Sequence, residues 1–506
     1  VGDLSDGLSA LPRVAGAAWS LARADALAPR EIDPLLPPWA RLLARLVRLA
    51  AGRQSRIGRP GERLARVLER QGPVAIKLGQ FLSTRADIVG AVFAEDLARL
   101  KDRLAPFPTA VAAAEVERAL GRPLGALYSG FEDSIGAASL AQVCRARLRD
   151  GRPVAVKVLR PGVETRVAAD IQALNLAAGL VQAFVPVARR LEPLAFAATI
   201  ARALRLELDL RFEAAGADEL RAAMAADGYM TAPAVVWEGV ARRVLTLEWV
   251  TGVPLSDPHV LDRPELDRPR LATDLIRAFL AQALDHGVFH ADLHEGNLFV
   301  DIDGAPGGRL VAVDFGIVGR MGPAERRYLA EILWGFLRRD YDQVAATHFE
   351  AGYVPAHHDR AAFAQALRAV GEPIFGRTAS EVSMDRLLTQ LFEITALFDM
   401  RLRPELVLLQ KTMVTVEGVG RRIDPGLDIW GAAEPVVRRW IARELSPARR
   451  LLEFAQRARA AVERLADAPA QPPPPPAAPA RGFALASFAI GALTAALAFA
   501  LAAALR

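Results

Sequence analysis

The chain has 506 residues, enough for two or three domains around a sizeable core, and its net charge of +5 is scattered rather than blocked, which leaves no nucleic-acid footprint. Hydrophobic residues make up 52% but aromatics only 7%, an Ala- and Leu-rich balance that points to a mostly helical protein. The lone Cys144 excludes an internal disulfide and a multi-cysteine metal site, and points to a reducing compartment.

Of the 63 Lys and Arg residues only four are lysine: Lys77, Lys101, Lys157 and Lys411. A chain that writes its cations as arginine raises the question of what a planar fork could not do at those four places, since a compact ammonium on a flexible stem suits a buried phosphate site differently.

In chain order, residues 1–70 carry apolar residues at helical spacing from Leu11 to Leu27 and from Trp39 to Leu49, with arginines between. Such helices either pack on the next domain or lie on an anionic membrane surface, and no signal-peptide h-region is present. Pro73 opens a further helix, in which Lys77 and Gln80 of Lys77-Leu78-Gly79-Gln80 share a face three residues apart. A helical extension over 1–120 is thus expected.

From Phe131 the pattern becomes strand, small-residue loop, strand, turn, strand. Phe131 to Ile135 leads into Gly136-Ala137-Ala138-Ser139, then Leu140 to Leu148, a turn at Asp150-Gly151, and Pro153 to Val158. This is the layout of a kinase-like N-lobe, expected over 121–250, in which small residues let backbone N–H groups approach phosphates. Lys157 falls where a kinase lysine reaches the α/β-phosphates, although the loop is rich in Ala where Gly is typical. Residues 163–225 read as helical, and Glu207, Asp209 and Glu213 are the candidates to pair with Lys157, because a buried ammonium needs a partner. Val235 to Trp237 and Arg243 to Val250 read as two further strands, the second a hinge whose backbone faces the adenine.

A helical C-lobe is expected over 251–465. An amphipathic helix from Asp274 to Leu284 delivers the chain to Phe289-His290-Ala291-Asp292-Leu293-His294-Glu295-Gly296-Asn297, and an apolar run leads on to Asp314-Phe315-Gly316. Phosphoryl transfer needs a carboxylate near the acceptor and oxygen ligands for Mg²⁺; Asp292, Asn297 and Asp314 could supply both. A proline-rich spacer covers 466–481, with five prolines from Pro472 to Pro476. Residues 482–505 carry no charge and are long enough to cross about 30 Å of hydrocarbon as a transmembrane helix, with the arginine-rich bulk on the cytoplasmic side.

These ordered motifs, from roughly Leu11 to Arg450, resemble the UbiB family of atypical kinase-like proteins. Lys77-Leu78-Gly79-Gln80 is similar to its Lys-x-Gly-Gln signature, Gly136 to Ser139 to its Ala-rich loop, Glu207-Leu208-Asp209 to its Glu-x-Asp motif, His290-Ala291-Asp292 with Asn297 to its catalytic loop, and Asp314-Phe315-Gly316 to its metal motif. The departures are Gly136 where Ala is usual, Cys144 where His is usual, Leu293 and Glu295 where prolines are usual, and one membrane span where bacterial members often have two. The resemblance implies an α+β, bilobal protein-kinase-like fold binding ATP and Mg²⁺. It makes Asp292, Lys157 and Glu213 catalytic and Asn297 and Asp314 the metal ligands. Nucleotide contacts would come from Ile135, Gly136, Ala137, Ala138, Ser139, Val143, Lys157, Glu248 and Val250, and regulation from Lys77, Gln80, Glu207 and Asp209.

It further implies support of ubiquinone biosynthesis at the cell inner membrane, with polyprenyl and quinone-precursor lipids and the enzymes of that pathway as partners and a homodimer left open. Because Lys77 and Gln80 would lie over the acceptor side, ATP hydrolysis or small-molecule phosphorylation is expected rather than phosphorylation of proteins. The alternatives are a nucleotide-binding lipid scaffold without chemistry and a polyprenylphenol hydroxylase. Against the hydroxylase, the chain has no Gly-x-Gly-x-x-Gly flavin fingerprint, no iron–sulfur cysteines and no paired metal-binding carboxylate/His helices.

Overall fold

The computed structural model describes residues 4–26, 38–49, 58–83, 90–98, 105–184, 192–374 and 404–444, together with 100, 189, 394 and 397–400. Lys101, residues 445–465, the proline spacer 466–481 and the expected span 482–505 lie outside the described residues. Among the described residues no helix is long and apolar enough to cross a membrane.

The described residues of the first hundred form five helices: α1 (Leu4–Arg23), α2 (Pro38–Arg48), α3 (Pro60–Gln71), α4 (Pro73–Ser83) and α5 (Ala91–Ala98). Ala65 and Leu68 of α3 pack with Leu97 of α5 and with Leu100 in a small core of their own. Gly79 on α4 is set against that core, where an added Cβ would collide with Leu100. The third position of Lys-x-Gly-Gln is therefore glycine for close packing. The solvent side of α2 leaves Leu42 and Leu46 exposed, with Leu49 just beyond its end.

The helix α6 (Thr109–Leu120) leads into an antiparallel sheet of order β1-β2-β3-β4, made of β1 (Tyr128–Ala137), β2 (Ala141–Leu148), β3 (Pro153–Leu159) and β4 (Val244–Glu248). Alternation assigns each face. Val154, Val156 and Val158 point to one side with Ala146, Val244 and Val116 of α6. Ala141, Leu159 and Leu245 point to the other, against Val163, Ile200, Leu204, Leu210 and Ala214. Lys157 shares the parity of Leu159 and is paired with Val143 and Leu245 across the ladder, so it lies on the second face.

That face is covered by α7 (Val163–Phe184), α8 (Pro193–Glu207) and α9 (Leu210–Asp227). Among the described residues, the helical stretch expected over 163–225 is thus three helices, with a break at Leu208-Asp209. The strand expected at Val235 to Trp237 is not one: Val235 makes a single bridge to Leu247, and Trp237–Gly239 closes as a 3₁₀ turn. The β-branched pair has strand propensity, but only one of its residues has a ladder to join.

Beyond β5 (Val253–Pro254), α10 (Arg268–Ala281) buries Leu271, Leu275, Ile276 and Phe279 and ends in a wider π turn at Gln282–His286. Short strands come next: β6 (Val288–His290), β7 (Leu298–Asp301), β8 (Arg309–Ala312) and β9 (Val318–Arg320), with β5-β7-β8 and β6-β9 as separate antiparallel sheets. The described residues that follow are mainly helical, as expected: α11 (Pro323–Leu337), α12 (Tyr341–Glu350), α13 (Arg360–Gly371), α14 (Pro404–Ile423) and α15 (Ile429–Glu444).

Candidate functional site

The three candidates for the partner of Lys157 separate at the α8–α9 break. Glu207, the last residue of α8, takes Lys77 at 2.6 Å. Asp209 caps α9, accepting the Arg211 N–H at 3.2 Å and pairing with the Arg211 guanidinium at 2.9 and 2.7 Å. Glu213, in the first turn of α9, reaches Lys157, with Nζ to Oε1 at 2.7 Å. One turn further along, Gly216 lets the helix approach Val318 and the carbonyl of Phe315, where a Cβ would be 2.9 Å from Val318. That approach brings α9 alongside the Asp314-Phe315-Gly316 segment, and Lys157 Nζ also donates to Asp314 Oδ1 at 3.1 Å.

The three charges set each other's state. Burial, the largest influence, pulls the Lys157 ammonium down, but Asp314 and Glu213 together outweigh it and hold the group above the ordinary lysine value. The Lys157 charge pulls Asp314 down to about 2. Burial pushes Glu213 up to about 6, against the opposing effect of Lys157. Asp314 has φ of 60°, the left-handed region that non-glycine residues rarely occupy, so its carboxylate is presented by a strained backbone.

The loop after β6 is organised by His290, fully buried between two backbone segments. Its Nδ1 accepts the Asp292 N–H at 3.1 Å, and its Nε2 lies 3.1 Å from the Val313 carbonyl, which it reaches as a donor in the neutral tautomer. Burial keeps its pKa below the ordinary histidine value, which fits the neutral ring. One imidazole therefore fixes both Asp292 and the residue before Asp314. Asn297 is fixed the same way: Nδ2 donates to the Asp292 carbonyl at 3.0 Å, and its own carbonyl accepts the Val313 N–H at 2.9 Å. The pairing of Leu298 with Ala312 makes this register unavoidable and places Asn297 beside the Asp314 segment. Glu295, an acid with no assigned role, is neutralised by an ion pair with Arg422 of α14.

The small-residue loop lies at the end of β1, where register shifts after Phe131 and Ser134 loosen the ladder. Ser134 Oγ donates to Gly136 O at 3.0 Å and Ala138 N donates to Ala141 O at 2.8 Å, so one N–H of the loop is already committed within the protein. Ile135 is exposed, Ser139 is buried, and Val143 faces Lys157 across the ladder. At the hinge, Glu248 N and Trp249 N donate to Ala234 O and Pro153 O, which ties the segment carrying Glu248 and Val250 to the sheet. Gln80 is half-buried on α4, and its carbonyl accepts from Ser83 Oγ at 2.6 Å.

Gly136 is outside the left-handed region, and a Cβ there would meet nothing within 4 Å. Gly136→Ala is expected to stabilise the fold by about 0.4–1 kcal/mol by restricting the unfolded chain. Thermal unfolding measures this, and a loss of stability would mean that the loop needs a conformation closed to alanine.

Sequence reasoning did not assign the groups that α14 brings to the loop. Thr412 Oγ1, buried, lies 3.0 Å from the Ala291 carbonyl, and Lys411 Nζ lies 3.8 Å from Asp292 Oδ1. The only signal was the scarcity of lysine.

Residues 99–348 match the ABC1 atypical kinase-like domain, and residues 367–428 match the UbiB helical domain. A probable protein kinase UbiB of Marinobacter nauticus is 39% identical over 388 residues, 76% of this chain and 71% of the relative. The probable protein kinase UbiB of Xylella fastidiosa is 40% identical over 400 residues, 78% of this chain and 72% of the relative. Among solved structures, Rv3197 of Mycobacterium tuberculosis in complex with erythromycin superimposes with a TM-score of 0.54 at 23% identity, over 79% of this chain and 98% of that one, a likeness of fold.

Proposed function

The chain belongs to the UbiB family of ABC1 atypical kinase-like proteins, and from that premise we propose that it is a Mg²⁺·ATP-dependent kinase or ATPase serving ubiquinone biosynthesis at the inner membrane. The observation that carries the reading is the meeting of Lys157, Glu213 and Asp314 within 2.7 and 3.1 Å. It joins the sheet, α9 and the Asp-Phe-Gly segment at one point. In the proposed reaction Lys157 would hold the α/β-phosphates and Glu213 would orient Lys157.

The donor set fits a hard cation: Asp314 is ionised and half-exposed, and Asn297 uses its amide nitrogen internally, which leaves its amide oxygen as the group to offer. Asn297 and Asp314 would hold Mg²⁺, which supplies neutralisation of phosphate charge when bound. Asp292 would orient the acceptor hydroxyl or water through its carboxylate.

We infer a small-molecule or lipid acceptor from two features. The Lys77–Glu207 ion pair fastens α4 to the end of α8, just before the helix that carries Glu213. The leucines of α2 stand exposed among Arg41 and Arg45, a surface suited to anionic lipid. The anchor would be residues 482–505, with the catalytic part cytoplasmic. The test is ATP hydrolysis by the full chain with and without anionic phospholipid vesicles and a short-chain prenylphenol. Stimulation is expected, and an unresponsive rate would remove the lipid side of the proposal.

One observation favours a second reading. Asp314 is already paired with Lys157, as a scaffold that never loads a metal would also show. Asp292→Asn decides between them in a ubiquinone-deficient strain: loss of rescue is expected for the enzyme, whereas a scaffold would still support growth.

A further inference from the structure

We propose that Lys411 is a catalytic residue, supplied to the site by α14, whose ammonium contacts the phosphoryl group in transit. The inference rests on the kinase or ATPase reading above. Its ground is the placement of a cation on the acceptor side of the site. Lys157 is committed to Glu213 and Asp314, on the side where the nucleotide phosphates would lie. On the far side, the Asp292 carboxylate meets Lys411 Nζ at 3.8 Å from Oδ1 and His294 Nε2 at 3.6 Å from Oδ2.

The position of Lys411 on the helix is held by its neighbours. Thr412, almost wholly buried, shares its hydroxyl proton between the Leu408 carbonyl of its own helix and the Ala291 carbonyl of the catalytic loop. Ten residues along, Arg422 pairs with Glu295 at the other end of that loop, and Arg268 Nε donates to the Ile423 carbonyl at 2.6 Å. The helix is therefore held to the loop at Lys411-Thr412 and again at Arg422, which keeps the Lys411 side chain beside the Asp292 carboxylate.

Two further facts distinguish this residue from an ordinary surface cation. It is one of four lysines among 63 cationic residues, and of the three described, Lys77 and Lys157 each hold an acid of the same site. Its distance from Asp292 is also longer than a tight charge-assisted hydrogen bond, and its side chain is 42% exposed. An ammonium so placed can turn to a phosphoryl oxygen without breaking a strong bond. Charge spreads over the equatorial oxygens as the phosphoryl group leaves the nucleotide, and a preorganised cation there acts where it lowers the barrier most. The flexible, compact lysine can follow that movement between acid and phosphoryl group, which a planar guanidinium docked on the carboxylate would resist.

The test is full-chain ATP hydrolysis by Lys411→Met and Lys411→Arg, with Mg²⁺·ATP affinity measured separately by a fluorescent nucleotide. Met keeps the stem, so the fold and nucleotide affinity should stay within about twofold while kcat falls by about 10²-fold. Arg should recover an intermediate rate. The role is overturned if Lys411→Met turns over within about twofold of wild type, if turnover and affinity fall in parallel, or if Arg is no better than Met. Absence of nucleotide binding by the wild-type chain would instead overturn the kinase-type reading, and this role with it.

Discussion

Asp314→Asn should abolish nucleotide turnover while leaving the fold in place. Asparagine has the same shape and is among the few residues that tolerate the left-handed backbone seen here at φ of 60°, so the strained turn survives the change. What is lost is charge. The carboxylate, held down to about 2 by the Lys157 ammonium, is ionised throughout the working range and is the strongest oxygen donor of the pair it makes with Asn297. A metal clamp supplies several kcal/mol of transition-state stabilisation, so the expected loss is at least about 10³-fold in turnover at a fixed Mg²⁺·ATP concentration. The same variant should also lose the rise in unfolding temperature that Mg²⁺·ATP gives the wild-type chain, because a ligand that no longer binds no longer stabilises. Turnover and ligand-induced stabilisation equal to wild type would show that the reaction, if any, takes place elsewhere.

The parts of the site that lie on regular elements were legible in the sequence, because a period fixes a face. Lys157 is an example: in Val154-Ala155-Val156-Lys157-Val158 the valines define the α6 side, which sends the lysine to the other. From spacing alone Glu213 could not be told from Glu207 and Asp209, because the stretch reads as one continuous helix; only the resemblance singled it out. The break at Leu208-Asp209 changes the phase, and a capping aspartate in a helix-rich region looks like any other acid. The positive φ of Asp314 has no sequence signal beyond the glycine two residues on. The contact of α14 with the Asp292 loop was hidden for a different reason. Lys411 and Thr412 are far from the loop in sequence, and no periodicity reports a long-range contact. The apolar pair Val235-Val236 failed in the opposite direction, showing local strand propensity with a single bridge to use it.

Lys157→Met tests whether the centre of the site is held together by the charges described. Removing the ammonium strands Glu213, whose side chain is only 9% exposed, beside Asp314. Breaking one side of a buried pair costs about 3–5 kcal/mol; Asp314 is half-exposed and can turn to water, so the lower end of that range is expected. The cost should depend on pH with a definite sign. Glu213 is already raised from 4.5 to about 6 by burial, with Lys157 opposing the rise. Without Lys157 the carboxyl should rise further. A carboxyl whose folded value exceeds its unfolded value favours folding when protonated, and that advantage is lost as pH rises through the interval between the two values. The deficit of Lys157→Met should therefore be smaller at about pH 5 than at about pH 8. Adding Glu213→Leu should restore stability to within about 1 kcal/mol of wild type at both, since apolar side chains of similar volume replace a buried pair at little cost. Neither the single nor the double variant should bind Mg²⁺·ATP, so the recovery would separate the architectural role of the pair from its phosphate-binding role. Denaturant unfolding at the two pH values reads all three proteins. A Lys157→Met chain as stable as wild type at both would mean that Glu213 does not depend on the ammonium, and that the ion pair at the centre of the site is not formed.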